Sequence, residues 1–502
     1  MTCSNNTICM RKFGFALSAA FVLASCTADE TDAGHSAISG SDDFLEIVAE
    51  ARLAIDNGNL PEAGRLYDEA LTIDGANSGL WVDIARLRFR GGEHLSAIEA
   101  ADNALELDNS YGPAILLRAQ LVRDAHGLEA SLPWFEAAVA ADPRNPEVVG
   151  DYAATLGDLG RYSDMLSVVR DLADFAPAYP QVHYLQAVLA ARANDPVLSS
   201  NLLIRSGLVG QGVPAAMMLD AVVNMQQGNF DTAAETLEAL AERQPANSRI
   251  DELLARAFWL SGRDRELVDR FAARAEQGDA TASLVMMVGR SFERLGERGR
   301  AIGFIQRAQQ ARASDPIVLE NSGTAGFALP APTAELRVLI GNRQNVSAEG
   351  RVRALLARFP LSGDIHTLAG DAALANGNAQ LALERYEVAA RVRRSWPLTR
   401  KLVHAYRVYG DDQAADILLA RYIAGDPQNT DALLLQAKSS AAKEDWLRVE
   451  VLLDAAIELG AGNDLEVLAL RAQAADELGR EEDAVRFDAL RAELKPAEFV
   501  AD

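Results

Sequence analysis

One spacing constrains this chain more than any other feature. Glycine recurs at Gly58, Gly92, Gly160, Gly228, Gly262 and Gly296, always a whole number of 34-residue steps apart, with seven steps in the 238 residues from first to last. Two further landmarks keep the same ruler. An alanine follows each of several turn glycines by five residues, at Ala63, Ala97, Ala233 and Ala301, and a proline recurs at Pro143, Pro177 and Pro245. A fixed period of this size marks a stack of like supersecondary units, each leaning on its neighbours, rather than a globule around one core.

The unit is clearest from Ser78 to Tyr111. Trp81, Ile84, Ala85 and Leu87 fall at helical spacing, Gly91 and Gly92 interrupt, and Ala97, Ile98, Ala101, Ala104 and Leu105 resume it. The spacing predicts two short antiparallel helices. Ala85, Ala97 and Ala104 sit where the two must approach closely, and a larger side chain there would push them apart. At 502 residues the chain is too long for a single compact core, but a stack of hairpins escapes that limit. A composition that is 49% hydrophobic yet only 6% aromatic suits alanine-rich helix packing and an all-α fold.

At these residues the sequence resembles the tetratricopeptide repeat family. Trp81, Ala85, Gly92, Ala97 and Ala104 stand where the family has its early aromatic, its small residues and its turn glycine, although Asn109 replaces the usual closing proline. The resemblance implies a right-handed superhelical solenoid of about 13 hairpins that binds proteins or peptides.

Taken in order, residues 1–25 hold a leader. Arg11 and Lys12 precede an apolar run from Phe13 to Val22, too short to span a bilayer, and Leu-Ala-Ser-Cys ends at Cys26. This resembles the lipobox of bacterial lipoproteins, which implies that Cys26 is cut free as the first residue and acylated. The nine residues before Met10 precede the basic segment, and translation is expected to begin at Met10. Loss of residues 1–25 also removes Cys3 and Cys9, so no disulfide is expected. Three acyl chains, each methylene contributing about 0.8 kcal/mol, would hold the protein on a membrane, and Thr27 in place of aspartate implies the outer membrane facing the periplasm.

Residues 26–43 read as a polar tether that includes a lone His35. Eight repeats follow over 44–315, the fifth having Asn194, Asp195 and Pro196 where the turn glycine belongs. Residues 316–328, rich in glycine and followed by Pro330 and Pro332, read as an inserted loop. Five more repeats occupy 329–498, with turns at Gly377, Gly410 and Gly479 and a charged last helix suited to capping, and 499–502 form a tail.

Net charge is −24, and loss of the leader, with two basic residues and no acidic one, deepens it to −26. Nucleic acid and anionic lipid headgroups are therefore disfavoured partners. His35, His94, His126, His183, His366 and His404 show no helical metal-ligand spacing, and HExxH, CxxC, GxSxG and phosphate-loop patterns are absent from the sequence. The repeats account for nearly every residue, so neither enzyme activity, cofactor nor metal is expected.

In the family, the first helix of each hairpin lines an inner groove through its fifth, ninth, twelfth and thirteenth places. The resemblance carries these onto Arg86, Phe89, Arg90, Gln120, Arg123, Met218, Met225, Arg256, Trp259, Arg290 and Arg294. Two expectations stand side by side: guanidinium forks offered to a partner's carboxylates with apolar anchors between them, or arginines paired with acids of neighbouring repeats. The function expected is a membrane-tethered scaffold for an envelope assembly such as a pilus, secretion or polysaccharide-export machine. A regulator of an envelope enzyme and a self-associating spacer are the alternatives.

Overall fold

A computed structural model describes residues 40–244, 247–277, 280–309, 333–459 and 461–494. The leader with Met10, Cys26, most of the tether with His35, Pro245, the insertion at 316–328, Pro496 and the C-terminal tail lie outside the described residues.

The described residues form 26 α-helices and no strand. They pair into thirteen hairpins. The first four are α1 Asp42–Asp56 with α2 Leu60–Ile73, α3 Ser78–Arg90 with α4 His94–Leu107, α5 Gly112–His126 with α6 Leu128–Ala141, and α7 Pro146–Asp158 with α8 Tyr162–Phe175. The next four are α9 Pro180–Arg192 with α10 Pro196–Ser206, α11 Pro214–Gln227 with α12 Phe230–Arg243, α13 Ser248–Ser261 with α14 Asp264–Ala275, and α15 Ala282–Arg294 with α16 Arg298–Gln309. The second run comprises α17 Thr333–Gly341 with α18 Asn345–Arg358, α19 Gly363–Ala375 with α20 Ala379–Ala390, α21 Trp396–Tyr409 with α22 Asp412–Gly425, α23 Thr430–Ala441 with α24 Trp446–Glu458, and α25 Leu465–Glu477 with α26 Glu481–Leu494.

Local chemistry sets the helix ends. Asn77, Asn145, Asn429 and Asp464 accept the first free amides of α3, α7, α23 and α25 through their side chains, and prolines open α7, α9, α10 and α11, where a missing N–H costs nothing. Each hairpin turn contains one residue with positive φ. Ten are glycines, and Asn194, Arg343 and Glu444 supply the other three. The alanines read from the period are the helix-crossing residues. Ala63, Ala97, Ala233, Ala301, Ala382 and Ala415 are all buried. Buried apolar residues form overlapping clusters along the stack: one spans hairpins 1 to 3, another hairpins 3 to 6, another hairpins 6 to 8. Stability is thus passed from neighbour to neighbour.

Candidate functional site

The eleven groove positions lie on the first helices, and the structure gives most of them partners within the chain. Gln120 donates from Nε2 to Asp151 Oδ2 at 2.8 Å, and Arg123 donates from Nη1 to Thr155 Oγ1 at 3.1 Å while lying 5.4 Å from the Phe135 ring centre. Arg123 is buried. Arg290 pairs with Glu293 at 2.7 Å. Arg294 pairs with Asp264 at 3.3 Å, donates to the Trp259 carbonyl at 3.2 Å and stacks its guanidinium 4.7 Å from the indole. Met225 is buried in the cluster of hairpins 6 to 8, with Met218 and Trp259 packed against it. Phe89 meets His94 edge-on at 5.1 Å. Arg86, Arg90 and Arg256 are half-buried and engaged with neighbouring groups, and burial pulls the Arg256 pKa below the usual guanidinium value. Cys26 lies outside the described residues.

The same polar logic recurs from hairpin to hairpin. Arg52 to Asp83 at 2.8 Å, Lys401 to Asp371 at 2.8 Å and Lys438 to Glu466 at 2.7 Å tie one first helix to the next, as Gln120 to Asp151 does.

A second feature went unseen in the sequence. The turns that begin hairpins 10 to 13 are seated against hairpins 2 to 8, so the later repeats meet the earlier ones along a seam. The Gly363 amide donates to His94 Nδ1 at 3.1 Å, the Leu95 amide to the Leu361 carbonyl at 3.3 Å, and the Arg394 amide to the Asp124 carbonyl at 2.6 Å. Gly425 lies against Gly127, where α22 crosses α6. Gln428 is the most completely bonded residue of the seam. Its Nε2 donates to the carbonyls of Gly157 at 3.2 Å and Asp158 at 2.8 Å, and its Oε1 accepts from Tyr162 Oη at 3.2 Å and Arg192 Nη2 at 2.9 Å. All four hydrogen-bonding valences of the amide are thus filled across the seam, and the side chain is only 4% exposed. Farther on, α15 touches α25, and Leu465 packs against the cluster of hairpins 6 to 8.

The seam also sets acids against acids. Burial, with Asp426 opposite, pushes Asp158 up to about 8 against the pull of Arg123 and Arg192. Burial pushes Glu252 up to about 7, with Asp431 and Asp464 adding to the rise while Thr281 and Arg249 oppose it. His94 moves the other way: burial lowers its pKa, Arg393 adds to the fall, and Asp364 opposes it. Among the described residues no cluster of three histidines, cysteines or carboxylates is arranged to hold a metal ion.

Helical hairpins stacked in single file, joined by apolar clusters and polar ties, define an α-solenoid. Residues 48–112, 221–266 and 333–397 match the sequence pattern of the tetratricopeptide repeat, so the stack carries tetratricopeptide repeats in these stretches. Among proteins of curated function, none matches the sequence. Similar solved structures include a tetratricopeptide repeat protein from Parabacteroides merdae, with 15% identity over 54% of this chain and 93% of that one and a TM-score of 0.27. They also include PilF from Pseudomonas aeruginosa, with 15% identity over 47% and 92% and a TM-score of 0.31. PilW, a type IV pilus biogenesis factor, shows 18% identity over 46% and 92%, again with a TM-score of 0.31. Among the described residues no helix is long and apolar enough to cross a membrane.

Proposed function

We propose that this protein is a non-enzymatic scaffold that binds other proteins or extended peptides along its first helices and is held at a bacterial envelope membrane by acylated Cys26. The observation supporting it most directly is the set of half-buried Arg86 and Arg90 on α3, half-buried Trp259 on α13 and exposed Arg294 on α15, all on first helices. Guanidinium groups and an indole carried on first helices suit an acidic, extended partner with apolar side chains between its carboxylates. Location at the outer membrane, facing the periplasm and serving an assembly such as a pilus, secretion or export machine, belongs to the same proposal. It is supported by the leader sequence alone.

Two experiments separate address from binding. Cys26→Ser is expected to move the protein from the membrane to the soluble fraction; retention in the membrane overturns the anchor. Crosslinking in intact cells, followed by mass spectrometry, is expected to return a defined protein set that the Arg86→Glu/Arg90→Glu variant loses. An unchanged set overturns the groove assignment.

A further inference from the structure

We infer that the binding groove of the first eight hairpins is closed by the chain itself: the turns opening hairpins 10 to 13 occupy its wall, Gln428 pins them there, and a partner gains the first helices when that seam lifts. Its meaning as a gate depends on the groove being the binding surface proposed above.

The register of the contacts is the first support. Six of the seven hydrogen bonds named across the seam join residues 266 to 271 apart in sequence, from Tyr162 and Gln428 at one limit to Gly157 and Gln428 at the other; the seventh, Arg192 to Gln428, spans 236. That separation is close to eight periods of 34, so hairpins 2, 3 and 4 meet the starts of hairpins 10, 11 and 12 in turn, as successive turns of one coil laid in parallel, and hairpin 13 closes on hairpins 6 to 8 at a shorter offset. A fortuitous touch would not repeat at one offset.

The chemistry of the seam is the second. Within each run, hairpins are joined by buried leucine, alanine and aromatic clusters. Between the runs the joints are backbone amides, one glutamine and opposed carboxylates, with Leu465 the apolar exception. A polar joint between apolar stacks separates without unfolding either stack. Three donors at the joint have no alternative in their own hairpins. Leu95 is the second residue of α4, Gly363 the first of α19, and Arg394 lies between α20 and α21, so their amides precede any helical acceptor and bond across the seam.

Those three amides make the lock measurable on the isolated full-length protein by hydrogen exchange. Replacing Gln428 with alanine is expected to speed exchange at Leu95, Gly363 and Arg394 about tenfold or more, while interior amides of α7, α21 and α23 keep wild-type protection, because exchange reports the free energy of each local opening. Wild-type exchange at the three amides would overturn the lock. So would equal loss of protection inside α23, which would make Gln428 a residue of the hairpin fold. Tyr162→Phe, which removes one of the four bonds from the opposite side, is expected to give a smaller change at the same amides; no change there, with Gln428→Ala active, would deny that the bonds across the seam carry the effect. Exchange is read without any partner, so a lock that opens as expected while crosslinking finds no partner would leave the lock and discard the groove.

Discussion

Arg343 and Glu444 hold φ near +55° and +59°, a conformation that costs a side-chain-bearing residue about 1 kcal/mol or more. They do so because each hairpin turn passes through one residue of positive φ, and packing on both sides fixes the turn. Where the sequence has glycine the requirement was legible as the 34-residue period. At these two positions it was not, because arginine and glutamate carry no local sign of a left-handed backbone and are forced into it by the stack. Replacing either with glycine is expected to stabilise the protein by about 1 kcal/mol, seen as a higher urea midpoint. Gly262→Ala is the converse. No other atom lies within 4 Å of where its Cβ would go, so its expected loss of about 1 kcal/mol is conformational alone. A lower midpoint for Arg343→Gly would show that the arginine side chain contributes more than its backbone costs.

At the scale of the helix pair, polar ties between neighbouring first helices decide how much of the groove wall is free. Asp371 is fully buried, accepts from Lys401 Nζ and Tyr386 Oη at 2.8 Å each, and thereby joins α19, α20 and α21. Removing the cation leaves a buried carboxylate without its charge partner, so Lys401→Met is expected to destabilise by about 3 to 5 kcal/mol, and adding Asp371→Asn to restore part of the loss. Equal stability of the single and double variants would mean the pair is energetically idle. The sequence placed Gln120, Arg123, Arg290 and Arg294 on the first helices through the repeat resemblance. It could not say which would be spent on the chain itself, since Asp151 and Thr155 lie about thirty residues further on and only the stacking distance brings them into reach. Met225 likewise reads as a possible anchor on a helical wheel and is buried between hairpins.

For the whole molecule, the number and order of hairpins followed from periodicity, whereas the seam did not, because closure after about eight hairpins is the sum of small rotations that no single residue encodes. Protons should govern it. A carboxyl whose pKa is higher in the closed state binds its proton more tightly there. Closure is therefore unpenalised below the ordinary carboxylate value, weakens as pH rises, and has lost the full contribution above the raised value. For Asp158, facing Arg123, Arg192, Asp151 and Asp426, that window runs from an ordinary value of 3.8 to about 8; for Glu252, facing Arg249, Asp431 and Asp464, from 4.5 to about 7. Asp426, Asp464 and Glu466 are shifted the same way by burial. His94 opposes them: its Nδ1 must be unprotonated to accept the Gly363 amide, so its contribution is present above 6.5 and lost as pH falls through its lowered value. The carboxyls outnumber the imidazole, and the seam is expected to loosen with rising pH. Small-angle scattering should show a larger radius of gyration at about pH 9 than at about pH 6, and Asp158→Asn should shrink the difference. A radius that stays constant across that range, or an undiminished difference in Asp158→Asn, would place the acids outside the closure equilibrium.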